Sequence, residues 1–209
     1  MIEEKAEKMF DDLENVSPHI TQHKERYSFT PKDLRSKVAK VIVHMSAQSA
    51  DFLFRERYGH RAIVLETIAA VPGLVGALFH HLKSLRLIKD DRGWIQTLLD
   101  EAENERMHLL VYSSIAQPTK IERILIIVVQ FVFFIVYFLV YLFSPRTAHR
   151  IVGYFEEEAI HSYENYLRLI KEGVHENIPA PEISMTYWDL IEGAKLIFVI
   201  KATIRDEMI

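Results

Sequence analysis

Apolar residues recur every three or four positions along most of this chain, and no sustained strand alternation appears. The pattern predicts six helices. Thr30-Pro31, a cap followed by an N1 proline, opens a first long helix that runs to about Phe54. The second covers roughly Arg61 to Leu87, with Pro72-Gly73 expected to bend it. The third runs from about Asp91 to Ser114, and Pro118-Thr119 opens a fourth that ends near Phe143. Ser144-Pro145 starts a fifth, which reaches about Lys171 with Gly173 as its stop. Pro179 and Pro181 belong to a loop, and the sixth helix runs from roughly Thr186 to the end. Residues 1–30 read as a loose polar arm, and 31–209 as one all-α domain.

The fourth helix is unusual. Ile124 to Phe143 contains no charge, and Gln130 is its only strongly polar member. Twenty such residues make a helix of roughly 30 Å, long enough to cross a bilayer. Hydropathy alone therefore allows a transmembrane span.

Composition narrows the chemistry. With 49 % hydrophobic residues in 209, the chain can fill a large core and still leave apolar surface. A formal charge of −4 without a basic run argues against nucleic acid as a partner. There is no cysteine, which excludes disulfides, thiolate metal sites and cysteine nucleophiles. Any metal must be held by Glu, Asp and His, a set suited to iron, manganese or zinc. Met1 to Lys24 is polar and acidic, unlike a signal peptide or an Arg-rich presequence, which points to a bacterial product or an already trimmed one.

Two carboxylate patterns stand out against this background. The first is Glu66, followed by Asn104-Glu105-Arg106-Met107-His108; the second is Phe155-Glu156-Glu157-Glu158-Ala159, followed by Ile204-Arg205-Asp206-Glu207. A Glu from one helix and a Glu-x-x-His from the next, used twice, is how a four-helix bundle builds a two-iron carboxylate site. Residues three apart share a helix face, so a carboxylate and an imidazole there can reach one ion. Taken singly, each glutamate would read as a surface charge and His108 as a core histidine; the ordered constellation carries the case. A spanning fourth helix would place Glu105 and His108 on the opposite side of the membrane from Glu156, so a span and a shared site exclude each other. The helix is then expected to lie in the interface with its apolar side in lipid. The first helix, with Val41, Ile42, Val43, Phe52 and Phe54 among basic residues, is its expected companion.

On the fifth helix, Glu158-Ala159-Ile160-His161 is a decoy Glu-x-x-His. The stripe through Glu156 (Val152, Ala159, Tyr163, Leu167) is mostly apolar, whereas that through Glu158 (Tyr154, His161, Asn165, Arg168, Glu172) reads as a solvated face. This favours Glu156 as the ligand. Glu66 sits among Ala62, Ala69, Ala70 and Gly73, small residues that would let a cluster approach the backbone.

With these residues in view, the chain resembles the alternative oxidases, di-iron ubiquinol oxidases of mitochondria and some bacteria. The matching strings include Leu65-Glu66-Thr67-Ile68-Ala69-Ala70-Val71-Pro72-Gly73, Asn104-Glu105-Arg106-Met107-His108, Gly153-Tyr154-Phe155-Glu156-Glu157-Glu158-Ala159, Tyr187-Trp188 and Arg205-Asp206-Glu207. The resemblance implies a ferritin-like di-iron four-helix bundle with two additional helices forming a monotopic membrane face, as a homodimer. It implies two non-haem iron ions held by Glu66, Glu105, His108, Glu156 and Glu207. It places Tyr163 beside the irons in oxygen reduction, and Arg61, Leu65, Phe155, Ala159 and Ser162 at the quinol pocket. Asn104, Asp206 and Trp188 would orient ligands by hydrogen bonding. The implied reaction is oxidation of ubiquinol with reduction of dioxygen to water, without proton pumping, at a bacterial inner membrane or the matrix side of the mitochondrial one.

The sequence departs from that pattern in three ways. The histidine expected three residues after Glu207 would be residue 210, one past Ile209, so the chain as written is expected to bind metal weakly or at one site and to show little activity. An arginine often found a turn before the aspartate matched by Asp51 is replaced by Ala47-Gln48, and the thiol regulation of plant members has no cysteine here. The alternatives are another ferritin-like carboxylate oxidoreductase, a non-catalytic membrane-anchored helical protein, or an inactive oxidase fragment.

Overall fold

The computed structural model describes residues 30–54 and 57–208; the polar arm expected over residues 1–30 lies almost wholly outside them. Among the described residues there are seven helices. They are α1 (Leu34–Phe54), α2 (Tyr58–Leu87), α3 (Trp94–Ala116), α4 (Lys120–Phe143), α5 (Pro145–Lys171), α6 (Glu182–Trp188) and α7 (Leu196–Asp206). The described residues contain no strand, only an isolated antiparallel bridge between Pro179 and Lys195. The protein is all-α, as expected.

Local chemistry sets the boundaries. α1 begins later than the Thr30-Pro31 signal because Asp33 supplies the cap, its carboxylate accepting from the Ser36 amide at 2.7 Å. α4 opens on a complete capping box. The Thr119 hydroxyl accepts from the Glu122 amide at 3.3 Å, and the Glu122 carboxylate accepts from the Thr119 amide at 2.8 Å. Pro72 stays inside one continuous α2. The expected sixth helix is in fact two. Asp189 ends α6 in the left-handed conformation (φ 53) and Gly193 follows at φ 84. The chain then turns extended at Lys195, where the Leu196 amide donates to the Ile178 carbonyl at 2.8 Å. Helical spacing of apolar residues across 189–195 concealed this break, because a capped loop can keep the same spacing.

The chain divides into two compact units, Pro31–Phe155 and one built from Glu156 onward. In the first, α2 packs most extensively along α3, then along α4, with lighter contact to α1. One face of α2 (Val64, Ile68, Val71, Val75) enters a core with Ala39 and Val43 of α1, Phe133, Tyr137 and Tyr141 of α4, and Ala148, Ile151 and Tyr154 of α5. Tyr154 is buried, correcting its expected place on a solvated stripe. The sequence pattern misled there because Tyr154 is on the stretch of α5 that packs into this core, whereas His161, Arg168 and Glu172 of the same stripe are exposed.

The other face of α2 meets α3. A methyl group added at Gly73 would strike the Leu98 carbonyl oxygen and press on Ala102, and one at Gly76 would meet the Leu98 side chain. Glycine at these positions lets the two backbones close together beside the buried polar residues of α2 and α3. The small residues near Glu66 thus serve helix–helix contact at Gly73, rather than only making room for a cluster.

In the second unit, α7 buries Leu196, Val199, Ile200, Ala202 and Ile204. The Asn177 side chain accepts from the Ile197 amide at 3.1 Å, tying the loop after α5 to the start of α7.

Among the described residues, two helices, α2 and α4, are long and apolar enough to cross a membrane. α2 is nonetheless mostly buried within the protein, whereas α4 is mostly exposed.

Candidate metal centre

Glu66 lies on α2 one turn beyond Ala62, and Glu105 and His108 share a face of α3 three residues apart. All three are buried, at 1 %, 4 % and 0 % exposure. One ligand atom from each lies within 4.8 Å of the others, a group that could hold a metal ion. His108 Nδ1 stands 3.5 Å from Glu66 Oε2 and 3.9 Å from Glu105 Oε2.

These separations are at or beyond the limit of a hydrogen bond. They match the spacing of donors around one ion instead, since ligands about 2.1 Å from a metal sit roughly 3–4 Å from each other. Charge points the same way. Two ionised carboxylates would outweigh one imidazole even if His108 were protonated, and buried charge of that kind favours a bound cation. The residues therefore fit a hard or borderline cation.

The remaining expected residues fall as follows. Asn104 is half-buried on α3. Arg61 and Leu65, one turn apart on α2, are buried, and the Arg61 guanidinium sits 6.0 Å from the centre of the Tyr58 ring. Phe155 is partly buried against the core, with its ring edge-on to Phe133 at 5.5 Å. The second unit carries Glu156, Ala159, Ser162, Tyr163, Trp188, Asp206 and Glu207. Tyr163 and Ser162 are buried there, while Glu156, Ala159 and Glu207 are half-buried. Glu158 is half-buried too, so burial does not separate it from Glu156; only His161, exposed and beside Asn165, behaves as the solvated decoy. Glu207 closes α7, its amide donating to the Thr203 carbonyl at 3.0 Å. Next to it, Asp206 accepts from the Trp188 indole at 2.7 Å, a contact eighteen residues apart in sequence that pins α6 to the end of α7.

The model of the alternative oxidase family matches residues 17–209. The chain belongs to that family. Curated relatives of this chain include ubiquinol oxidase 2, mitochondrial, of Glycine max, 48 % identical over 92 % of the chain and 56 % of the relative. Ubiquinol oxidase 1a, mitochondrial, of Oryza sativa subsp. japonica is 51 % identical over 92 % of the chain and 57 % of the relative. A mitochondrial ubiquinol oxidase of the fungus Batrachochytrium dendrobatidis is 50 % identical over 85 % of the chain and 56 % of the relative. The chain spans about half the length of the curated relatives it matches.

A group that the sequence reading missed lies at the start of α4. Glu122 is 2.7 Å from the Arg57 guanidinium and 3.7 Å from His60 Nε2. Burial alone would raise its carboxyl, but hydrogen bonds from the Thr119 amide and hydroxyl and from Arg57 outweigh it and hold the pKa at about 2. Burial, then the Arg57 charge, lowers His60. The Thr119-x-x-Glu122 capping box was legible in sequence; its tertiary partners were not.

Proposed function

We propose that this chain carries the catalytic domain of a ubiquinol oxidase, passing electrons from ubiquinol to dioxygen to give water at a non-haem di-iron carboxylate site. The buried Glu66–Glu105–His108 triad is the observation that carries the reading. Glu156 and Glu207 are the further ligands by resemblance. Bound iron would supply the redox chemistry and the site for dioxygen.

The protein's own groups have separate tasks in this reading. Glu66, Glu105 and His108 hold the ions, and the carboxylates also take up and release protons as charge changes. By resemblance, Arg61, Leu65, Phe155, Ala159 and Ser162 would be the residues that receive the quinol head. There, the guanidinium donates to a quinol oxygen and orients it. Tyr163, buried, would by resemblance stand beside the irons and hand on a proton, and the last electron, in oxygen reduction. The Asp206–Trp188 hydrogen bond fixes the end of α7, and so the direction of Glu207.

The membrane supplies the quinol. α4 exposes Ile124, Ile127, Val128, Phe131, Val132, Ile135, Leu139 and Leu142 while burying Phe133, Tyr137 and Tyr141 against its own unit. α1 adds a narrow stripe of Leu34, Val38, Val41, Met45 and Phe52. This stripe differs from the expected one, since Val43 and Phe54 point into the core. A helix with one face in the core and the other apolar and exposed suits a monotopic protein lying in one leaflet. The relatives' names favour a mitochondrial membrane over a bacterial one, and the family resemblance adds a homodimer as the assembly.

Oxygen uptake by the full chain in vesicles, with ubiquinol as sole donor, tests the reading alongside iron analysis. Bound iron and inhibitor-sensitive uptake, even at a low level, support the reading. Iron without quinol-dependent uptake would shift the assignment to another ferritin-like carboxylate enzyme.

A further inference from the structure

Glu122 stands where three elements join. It occupies the first turn of α4, directly before the exposed apolar face that Ile121 and Ile124 begin. Its partner Arg57 forms the junction between α1 and α2. The Arg57 amide donates to the carbonyl of Phe54, the last residue of α1, at 2.8 Å. The Arg57 carbonyl in turn accepts the amides of His60 and Arg61, both at 3.0 Å, and so starts α2. Arg61 is buried, and Glu66 follows little more than a turn later. One Glu122 oxygen binds the Arg57 guanidinium, and the other binds the Thr119 amide and hydroxyl at 2.8 Å each, close to the His60 ring.

A carboxylate whose two oxygens are both engaged, with its side chain only 13 % exposed, holds its geometry far better than a surface ion pair. Its contacts reach the start of α4, the end of α1 and the first turn of α2. We propose that Glu122 is a positioning residue that couples the seating of the lipid-facing helices to the Arg61 end of the site. Displacement of α1 or α4 on entering a leaflet passes through the Glu122–Arg57 contact to the turn that aims Arg61. The inference rests on the membrane and quinol readings above.

Amide hydrogen exchange of the full protein, with and without vesicles of phosphatidylcholine, phosphatidylethanolamine and cardiolipin, tests it beside ubiquinol kinetics. In the wild type, vesicles are expected to slow exchange at the His60 and Arg61 amides by about tenfold. Glu122→Gln should abolish that slowing and raise KM for ubiquinol about fivefold with kcat within about twofold, as expected when a positioning contact of charge-assisted strength is lost. Arg57→Gln, a change at a half-exposed side chain that leaves the capping box intact, should do the same, and the double variant should be no worse than either alone. Arg57→Lys should recover most of the effect. An unchanged vesicle response and KM in both Gln variants overturns the coupling while leaving the oxidase reading in place. A wild type that binds no vesicles overturns the membrane reading and the coupling with it.

Discussion

The α2–α3 seam and the outer face of α4 break the usual rule of globular proteins in opposite directions. At the seam, two carboxylates and an imidazole are buried; on α4, a broad run of Ile, Val, Leu and Phe is exposed. Each arrangement is unfavourable in water by itself, the first through desolvation of charge and the second through exposed apolar area. Each would become favourable with a partner of definite chemistry: a cation in one case and, in the proposed membrane reading, a lipid surface in the other. What the comparison teaches is that the two anomalies belong to one unit, Pro31–Phe155, with α2 packed against both α3 and α4. In the proposed oxidase reading, that arrangement would put the metal site in the same unit as the helix that meets the lipid.

The sharpest way to break the comparison is at the seam. Glu105→Ala should lower quinol-dependent oxygen uptake by about 100-fold or more and strip bound iron, read by an oxygen electrode and metal analysis. Chelation of the wild type should lower its melting temperature, since an ion present at a thousand times its Kd contributes about 4 kcal/mol.

On α4 the two faces should respond differently. Phe131→Asp, on the exposed side, should cut partition into vesicles at least tenfold while changing stability in water by under about 0.5 kcal/mol. Tyr137→Ala, on the buried side of the same helix, should cost about 3 kcal/mol or more by leaving a cavity among Phe133, Tyr141 and their neighbours. Equal stability losses from the two variants, measured by denaturant titration, would show that the outer face is covered by protein and not by lipid.

Gly73→Ala probes how the seam is held together. The added methyl meets a backbone carbonyl, which cannot move like a side chain, so a loss of about 1–3 kcal/mol is expected with weaker metal retention. This residue also shows what was legible in sequence. The glycine could be seen, as could Glu66, Glu105 and His108, because helical spacing and residue chemistry are local properties. Which neighbour required the glycine was not visible, since Leu98 approaches only in the folded state. The same limit explains the break between α6 and α7, set by an Asp189 cap and the Pro179–Lys195 bridge. It also explains the burial of Tyr154, which the tertiary core decides over the helical stripe. Elements and ligand types are encoded locally; the covering of a particular face is not.

A pH-dependent effect is expected at the joint between the anomalies, where Glu122 titrates. Its folded-state pKa of about 2 is below its ordinary value of 4.5, so between these values the unfolded chain binds a proton that the folded chain refuses. The stability it contributes is full above about pH 4.5 and drains away as pH falls towards 2. His60, also lowered from its ordinary 6.5, adds a loss with the same sign beginning at milder acidity. Melting curves of the wild type and Glu122→Gln should therefore differ most near neutral pH and converge as pH approaches 2. A difference that stays constant across this range would mean that the cost of the substitution is steric, arising from the amide in the cap, and that the charge of Glu122 contributes nothing to the junction of α1, α2 and α4.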